Sequence, residues 1–246
     1  MTRHNSIYGV IALCIALSVA SVACTPSTSQ LPRPPDVVNK ELLDAVKSDK
    51  LETVRGLLAS GAAPDLVPTS STEVSTPLMI ACEKGYVGMT ALLLAAGADP
   101  NLREGHGDWG KTPLVLVAQF GRTDIAKLLV KAGANINARH GPFQPRERIA
   151  NDSSALDYAV ANGHTEMTQF LILNGAPPTK RALYSAITSD RVDLVWLLLS
   201  AGASPVEPFT FTGRTPLEIA RLSANKGRPE LLATIQSFIG PVTPGK

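Results

Sequence analysis

The sequence predicts an all-α repeat protein, a solenoid of about six helix-turn-helix units. Three observations support this prediction. A Gly-Ala pair recurs along the chain, with its glycine at Gly61, Gly97, Gly133, Gly175 and Gly202. The pair closes units of one length, because 21 positions separate Thr76 from Gly97 and also Thr112 from Gly133. A leucine stands two positions into each unit, at Leu42, Leu78, Leu114, Leu156, Leu183 and Leu217. A fixed period of this kind is the signature of stacked repeats.

Composition narrows the class of protein further. The chain has 246 residues, of which 44% are hydrophobic and 18% are charged, and this balance excludes a disordered chain. The formal net charge of +2 provides no basis for general nucleic-acid binding. Three cysteines are too few for a disulfide scaffold. The 19 glycines and 19 prolines are explained by the repeat turns, the connections between units and an N-terminal tether.

Residues 1–23 have the pattern of a signal peptide. A short start containing Arg3 precedes an apolar run from Ile7 to Val19, and small residues follow it. An uncleaved membrane anchor is the alternative. The 17 residues from Ile7 to Ala23 are at the short limit for ~30 Å of hydrocarbon and no basic flank follows them, so cleavage is favoured.

Ser21-Val22-Ala23-Cys24 resembles a bacterial lipobox, in which the cysteine is acylated and the chain is cut before it. The resemblance implies a lipid anchor at Cys24, with the periplasm or outer membrane as the location. Thr25 after the cysteine favours the outer membrane. Simple signal cleavage, giving a soluble periplasmic or secreted protein, is the alternative. Residues 24–38 are rich in Pro, Ser and Thr and are expected to form an extended tether.

The repeat domain is expected to span residues 39–240, followed by a tail of residues 241–246. Its first helices have good N-cap residues at Thr76, Thr112, Ser154 and Thr215. Nine positions into the units, a turn with positive φ is expected between the two helices. Gly or Asp occupies that position, at Asp49, Gly85, Gly121, Gly163 and Asp190.

The stretch from Thr76 to Asn101, Thr-Pro-Leu-x-x-Ala followed by Gly and Leu-Leu-Leu-x-x-Gly-Ala-Asp-x-Asn, resembles an ankyrin repeat. The resemblance implies an ankyrin solenoid of stacked helix pairs, with hairpin or loop fingers that project at right angles and form a concave binding surface. The family's histidine after Thr-Pro-Leu is absent; Met79, Val115, Asp157 and Glu218 stand there instead. The Thr-to-His bonding that ties neighbouring repeats is therefore expected to be missing, and the stack to be less stable than a consensus one. Arg221 at a core position fits a terminal capping unit.

The five connections between units, whose projecting parts are called fingers one to five in chain order, run from Gly61 to Thr76, Gly97 to Thr112, Gly133 to Ser154, Gly175 to Arg181 and Gly202 to Thr215. Arg181 marks the start of unit five because it stands 21 positions before Gly202. The connections vary in length, and this variation lies on one face of the stack. The third connection, between Gly133 and Ser154, is long, whereas the fourth, after Gly175, is nearly deleted. This difference predicts a notch between units four and five.

Aromatic and arginine side chains dominate protein interfaces, and several stand in the fingers. The candidate partner-binding residues are His106, Trp109, Phe143, Arg146, Arg148, Phe209 and Phe211. The alternative for each aromatic is that it folds back onto its own finger or onto the helices below. Tyr158 and Phe120, in first helices, are expected to be half-buried packing residues.

No catalytic residues, metal ligands or cofactor are predicted. The histidines lack a nucleophile or paired carboxylate at a spacing that suggests catalysis, with His106 and Asp108 as the best remnant. Asp99, Asn101, Asn135 and Asn137 are expected to be turn residues. Cys82 is expected to be a buried, inert thiol.

The function expected from these features is non-enzymatic protein-protein interaction in the cell envelope, through the fingers and the concave face. The partner is expected to be another protein, with no nucleic acid, and the chain to be a monomer. One alternative is an inhibitor, immunity factor or accessory regulator of an exported enzyme. Another is an envelope structural protein.

Overall fold

The computed structural model describes residues 34–66, 75–104, 110–141, 153–209, 212–224 and 229–239. Across these ranges the chain forms six helix pairs, as predicted. The helices are α1 (Pro35–Lys47), α2 (Leu51–Ala59), α3 (Pro77–Lys84), α4 (Val87–Ala95), α5 (Pro113–Gln119), α6 (Thr123–Lys131), α7 (Ala155–Ala161), α8 (Thr165–Leu173), α9 (Lys180–Thr188), α10 (Val192–Ser200), α11 (Pro216–Ala224) and α12 (Pro229–Ile239). Two short strands, β1 (Arg139–His140) and β2 (Ser153–Ser154), lie between α6 and α7.

The helices stack in two rows. Within each unit the first helix packs on the second, each first helix also packs on the first helix of the next unit, and the second helices form the other row in the same way. The repeated leucine lies at the centre of this packing: Leu42, Leu78, Leu114, Leu156 and Leu183 are all at most 2% exposed. Small residues such as Ala81 and Ala159 are fully buried beside them and allow the close approach of neighbouring helices.

The predicted N-caps are confirmed. The hydroxyl oxygens of Thr76 and Thr112 accept hydrogen bonds from the backbone N–H three residues later, at 3.3 and 3.4 Å. At Thr215 a complete capping box forms, because the Thr215 N–H also donates to a Glu218 carboxylate oxygen at 2.8 Å. These caps satisfy backbone donors that have no partner within the helix.

Two helices start earlier than the sequence pattern suggested. Helix α9 is capped by Thr179, whose hydroxyl accepts the Ala182 N–H at 3.0 Å, and not at Arg181, where the repeat register placed the start of the unit. A hydroxyl can cap a helix and a guanidinium cannot, so local chemistry overrides the repeat spacing here. Helix α1 begins at Pro35, so residues 35–38 are helical and not part of an extended tether.

The turns between paired helices have the predicted left-handed backbone. Gly85 has φ of +84°, and Asp49 and Asp190, at the equivalent position, have φ of +53° and +55°. Close packing by a side chain of the next unit also requires glycine at these turns, and the sequence did not reveal this contact. A Cβ added to Gly121 would lie 2.5 Å from Nδ1 of His164, the residue that follows the turn of the next unit. Arg122 covers Gly85 in the same manner, and Arg191 covers Gly163.

Neighbouring units are also joined where the fingers begin. The side chain of Asn101 accepts the Asn135 N–H at 2.7 Å and donates to the Gly133 carbonyl at 3.1 Å. The Asp99 N–H donates to the Asp65 carboxylate at 3.1 Å. These residues also close turns, as predicted, since the Asn101 N–H donates to Asp99 Oδ1 at 2.8 Å.

A hydrogen bond joins two units at a junction where the sequence predicts that the family's bond is missing. Asp157, at the position of the family's histidine, accepts a hydrogen bond from the Thr179 hydroxyl of the following unit. The expectation that such ties are missing is therefore wrong at this junction, because a carboxylate can accept the bond that the histidine would make.

None of the described helices has both the length and the apolar content needed to cross a membrane.

The last helix pair exposes a charged side chain to solvent. Arg221 in α11 is exposed, as expected for a terminal repeat, which has a polar outer face.

Candidate functional site

Fingers two and three are tied together at their bases. The Arg103 guanidinium donates from one nitrogen to the Gly110 carbonyl at 3.0 Å and to the Arg139 carbonyl at 2.7 Å. Finger two closes on itself through the Glu104 N–H and the Lys111 carbonyl at 2.9 Å. The guanidinium therefore joins both ends of finger two to the first strand of finger three.

The base of finger three is a two-stranded antiparallel ladder. Arg139 pairs with Ser154 and His140 with Ser153. The His140 ring lies 6.0 Å from the ring of Tyr158 in α7, and the Lys111 ammonium lies 5.5 Å from the centre of the same Tyr158 ring. The finger bases and the first helices therefore form one continuous surface around Tyr158.

Next to this surface, a cavity of about 450 Å³ lies between α7 and α9. We call it the repeat-four cleft. Its lining residues are Ser153, Asp157, Tyr158, Ala161, Arg181, Tyr184, Ser185 and Thr188. The cleft lies at the junction with the shortest connection, where the sequence predicts a notch. Its volume is within the ~300–1,000 Å³ range of ligand pockets.

The lining carboxylate of the cleft is already engaged in the fold. Asp157 is 3% exposed, and its Oδ2 accepts the Ser154 N–H and hydroxyl, both at 2.8 Å. Its Oδ1 accepts the Thr179 hydroxyl. Arg181 is exposed at the edge of the same cleft.

Burial raises the pKa of Tyr158, and the charge of Arg181 opposes this rise. The phenol therefore stays neutral at physiological pH and is available as a hydrogen-bond donor. Together with Tyr184, it lines the cleft with two half-buried aromatic rings.

The described part of the last finger that ends at Phe209 packs on α9. The ring of Phe209 is 1% exposed and meets Tyr184 edge-on, with ring centres 5.2 Å apart. Lys180 forms a 2.8 Å ion pair with Glu207 of the same finger. Phe209 was predicted to contact a partner, but its ring packs inside the domain, as in the fold-back alternative.

The other candidate partner-binding residues lie outside the described residues: His106, Trp109, Phe143, Arg146, Arg148 and Phe211. The proposed lipidation site Cys24 lies outside them too.

Tyr158 is half-buried, as expected, whereas Phe120 is 44% exposed with the Arg122 guanidinium 5.4 Å from its ring.

Sequence reasoning missed Lys111, Tyr184 and Arg181 as members of the same surface. Arg181 served only to mark the repeat register, and Lys111 directly precedes the Thr112 cap. The available signal was the shortest connection, which brings α9 close to α7 without a projecting finger between them.

The Cys82 thiol and the His164 ring both lie where they serve the packing of the fold. The Cys82 thiol is buried, and burial raises its pKa to about 12. The His164 Nε2 lies 3.1 Å from the Gln119 carbonyl of the preceding unit and joins the two units there. Within the described ranges, no three His, Cys, Asp or Glu side chains group closely enough to hold a metal ion.

Comparisons with known proteins agree with the repeat architecture. The family model described as "Ankyrin repeats (3 copies)" matches residues 42–140, and the one described as "Ankyrin repeats (many copies)" matches residues 117–172. No curated protein matches the chain. Among solved structures, the crystal structure of the human ASB11 ankyrin repeat domain is similar, with 26% sequence identity and a TM-score of 0.60. The similarity covers 82% of this chain and 85% of that one.

A domain of this type is usually a non-catalytic binding module and typically mediates protein-protein interaction. The two family matches together extend over residues 42–172, more than half of the 246-residue chain, and the six stacked helix pairs have the same architecture. The chain belongs to the ankyrin repeat family.

Proposed function

We propose that this protein binds another protein through its fingers and its concave face and has no chemistry of its own. The observation that carries the proposal is the continuous surface formed by Arg103, His140, Lys111 and Tyr158, which leads into the repeat-four cleft. Hydrogen bonds and ring contacts hold this surface in place before a partner arrives. Little conformational entropy is then lost on association, which favours affinity.

The fingers supply the remaining contacts in this proposal. Trp109, Phe143 and Phe211 are the aromatic anchors, His106 stands beside them, and Arg146 and Arg148 form the polar rim. Large aromatic and arginine side chains carry most of the binding energy in protein interfaces. Phe209 is left out because its ring is buried against Tyr184.

The proposed location is the cell envelope, with the lipid anchor at Cys24. The support is the sequence of residues 1–24, which has the order of a signal peptide ending in a lipobox-like motif. Replacing Cys24 with serine is expected to abolish incorporation of labelled fatty acid and to release the protein from membranes. A Cys24→Ser chain that stays membrane-bound, with no label ever incorporated into the wild type, contradicts the anchor.

The binding proposal is tested by crosslinked capture from intact cells. In one variant, residues 142–148 of finger three are replaced by glycine and serine at unchanged length, and we expect the captured partner to be lost. The matched control replaces residues 68–74 of finger one, which contain no aromatic residue and no arginine. Equal capture by wild type and the finger-three variant, with both folded by circular dichroism, refutes this assignment of the binding face.

A further inference from the structure

The repeat-four cleft combines aromatic walls with positive charge. Tyr158 and Tyr184 contribute half-buried rings from consecutive first helices. Arg181 lines the cleft and is exposed. An arginine beside two tyrosines has the composition of an interface hot spot.

Lys111 extends the positive charge beyond the cleft. Its ammonium lies 5.5 Å from the centre of the Tyr158 ring and donates to the Gln119 side-chain oxygen at 2.8 Å. Gln119 is an uncharged partner, so this hydrogen bond leaves the charge of Lys111 in place. The face of the Tyr158 ring attracts the ammonium and helps to hold it in place, and the ammonium can donate a charge-assisted hydrogen bond to an incoming carboxylate.

Asp157, the carboxylate that lines the cleft, keeps its negative charge and offsets part of the positive charge of Arg181 and Lys111, but it is not aimed at an incoming ligand. Both Asp157 oxygens accept hydrogen bonds from Ser154 and Thr179, and the side chain is 3% exposed. Its role is to hold the N-termini of α7 and α9, which form the two sides of the cleft.

We propose that the repeat-four cleft binds an extended, acidic segment of the protein partner. Acidic side chains of that segment pair with Arg181 and Lys111, and an adjacent apolar side chain packs between the rings of Tyr158 and Tyr184. The short fourth connection at this junction leaves room for the segment to cross the stack. This inference rests on the proposed function, since it names the partner's chemistry at the same face.

The test uses a displayed random dodecapeptide library selected on the purified full-length chain. We expect the selected peptides to be enriched in Asp and Glu, with an apolar residue next to the acidic one. A synthetic peptide from this selection is then titrated by fluorescence anisotropy. Arg181→Gln and Lys111→Gln are each expected to weaken its binding at least about tenfold, as the loss of a charge-assisted contact predicts.

The matched control is Arg55→Gln. Arg55 lies on α2, a second helix in the first unit, and its side chain is 58% exposed in a pair with Glu52. It changes the net charge by the same amount as Arg181→Gln, so unchanged binding by this control shows that the effect is local. Circular dichroism and a urea midpoint confirm that all three variants are folded.

Several results overturn the inference. Selected peptides without acidic enrichment, a selection that yields no binder, or equal losses for Arg55→Gln and Arg181→Gln each do so. Displacement of the acidic peptide by a single-stranded oligonucleotide that binds the wild type more tightly would instead assign the cleft to nucleic acid. Each of these leaves the proposed function intact if crosslinked capture still depends on finger three, so the two failures are distinguishable.

Discussion

The carboxylate of Asp157 in α7 accepts a hydrogen bond from the hydroxyl of Thr179, the residue that caps α9 in the next unit. The same carboxylate completes the capping box of α7 with Ser154. One buried side chain therefore holds the starts of two consecutive first helices. These two helices form the sides of the repeat-four cleft, so the tie between units also sets the shape of the proposed binding site.

Removing this carboxylate is expected to destabilise the stack. Asp157→Asn replaces an acceptor of three hydrogen bonds by an amide, and we expect a loss of about 1.5–3 kcal/mol, the range for hydrogen bonds to charged groups. The measurement is urea unfolding followed by circular dichroism. The matched control is Thr215→Ala, which removes a cap within one unit and is expected to cost about 1 kcal/mol.

A double-mutant cycle separates the energy of the Asp157–Thr179 contact from the energies of the caps of α7 and α9. Thr179→Ala removes both the cap of α9 and the contact with Asp157. If the contact joins the units, Asp157→Asn and Thr179→Ala together cost less than the sum of the single variants, by about 0.5–3 kcal/mol. Strict additivity would show that the two residues stabilise their helices independently.

Gly121 is expected to tolerate alanine less well than a glycine with the same backbone and open surroundings. Gly121 has φ of +66° and would place its Cβ 2.5 Å from His164, whereas Gly213 has φ of +67° and nothing within 4 Å. Each glycine-to-alanine substitution is expected to lower the free energy of unfolding by about 1–2 kcal/mol, because a Cβ is disfavoured on a left-handed backbone. Gly121→Ala is expected to lose more, and His164→Ala in the same chain is expected to recover part of the difference. Equal midpoints in urea for the two glycine variants contradict the packing of His164 on Gly121.

Asp193 is expected to stabilise the protein only above its folded pKa. Its hydrogen bonds with Arg191 and Thr165 lower its pKa from 3.8 to about 2. Because the folded pKa is the lower one, the contribution is complete above the unfolded value of 3.8 and disappears as the pH falls through about 2. The side chain is 46% exposed, so solvent screening keeps the effect within about 1 kcal/mol.

The measurement is the difference in unfolding free energy between wild type and Asp193→Asn, followed from neutral pH to pH 2. We expect a small stabilising difference at neutral pH that closes at the acid end. Asp124→Asn is a control, since Asp124 is 79% exposed in a pair within its own helix. A difference for Asp193→Asn that grows towards low pH would exclude this origin.

Cys82 is expected to resist thiol reagents while the protein is folded. Its pKa is raised to about 12 by burial, and the thiolate is the reactive form. Maleimide is therefore expected to label Cys82 only after unfolding in guanidinium, as quantified by mass spectrometry of the peptide that contains it. Rapid labelling in native buffer would mean that α3 opens readily.

Much of the fold could be predicted because its signals are local. The caps at Thr76, Thr112 and Thr215 and the left-handed turns at Asp49 and Asp190 depend on residues a few positions apart. The start of α9 was misplaced by two residues, because Thr179 stands outside the repeat register and gains its role through its own hydroxyl and through Asp157. The site was predicted only as a notch, since no spacing shows which side chains face it.

The sequence by itself determined the repeat class, the number of helix pairs, their caps and the position of the shortest connection. The tertiary structure alone decided that Phe209 turns inward onto Tyr184, that His164 covers Gly121, and that Lys111, Tyr158 and Arg181 share one surface. The physical reason is the range of the interactions. A cap or a turn is set by neighbours in the chain, whereas contacts between units depend on how far the stacking of one helix pair brings side chains towards the next.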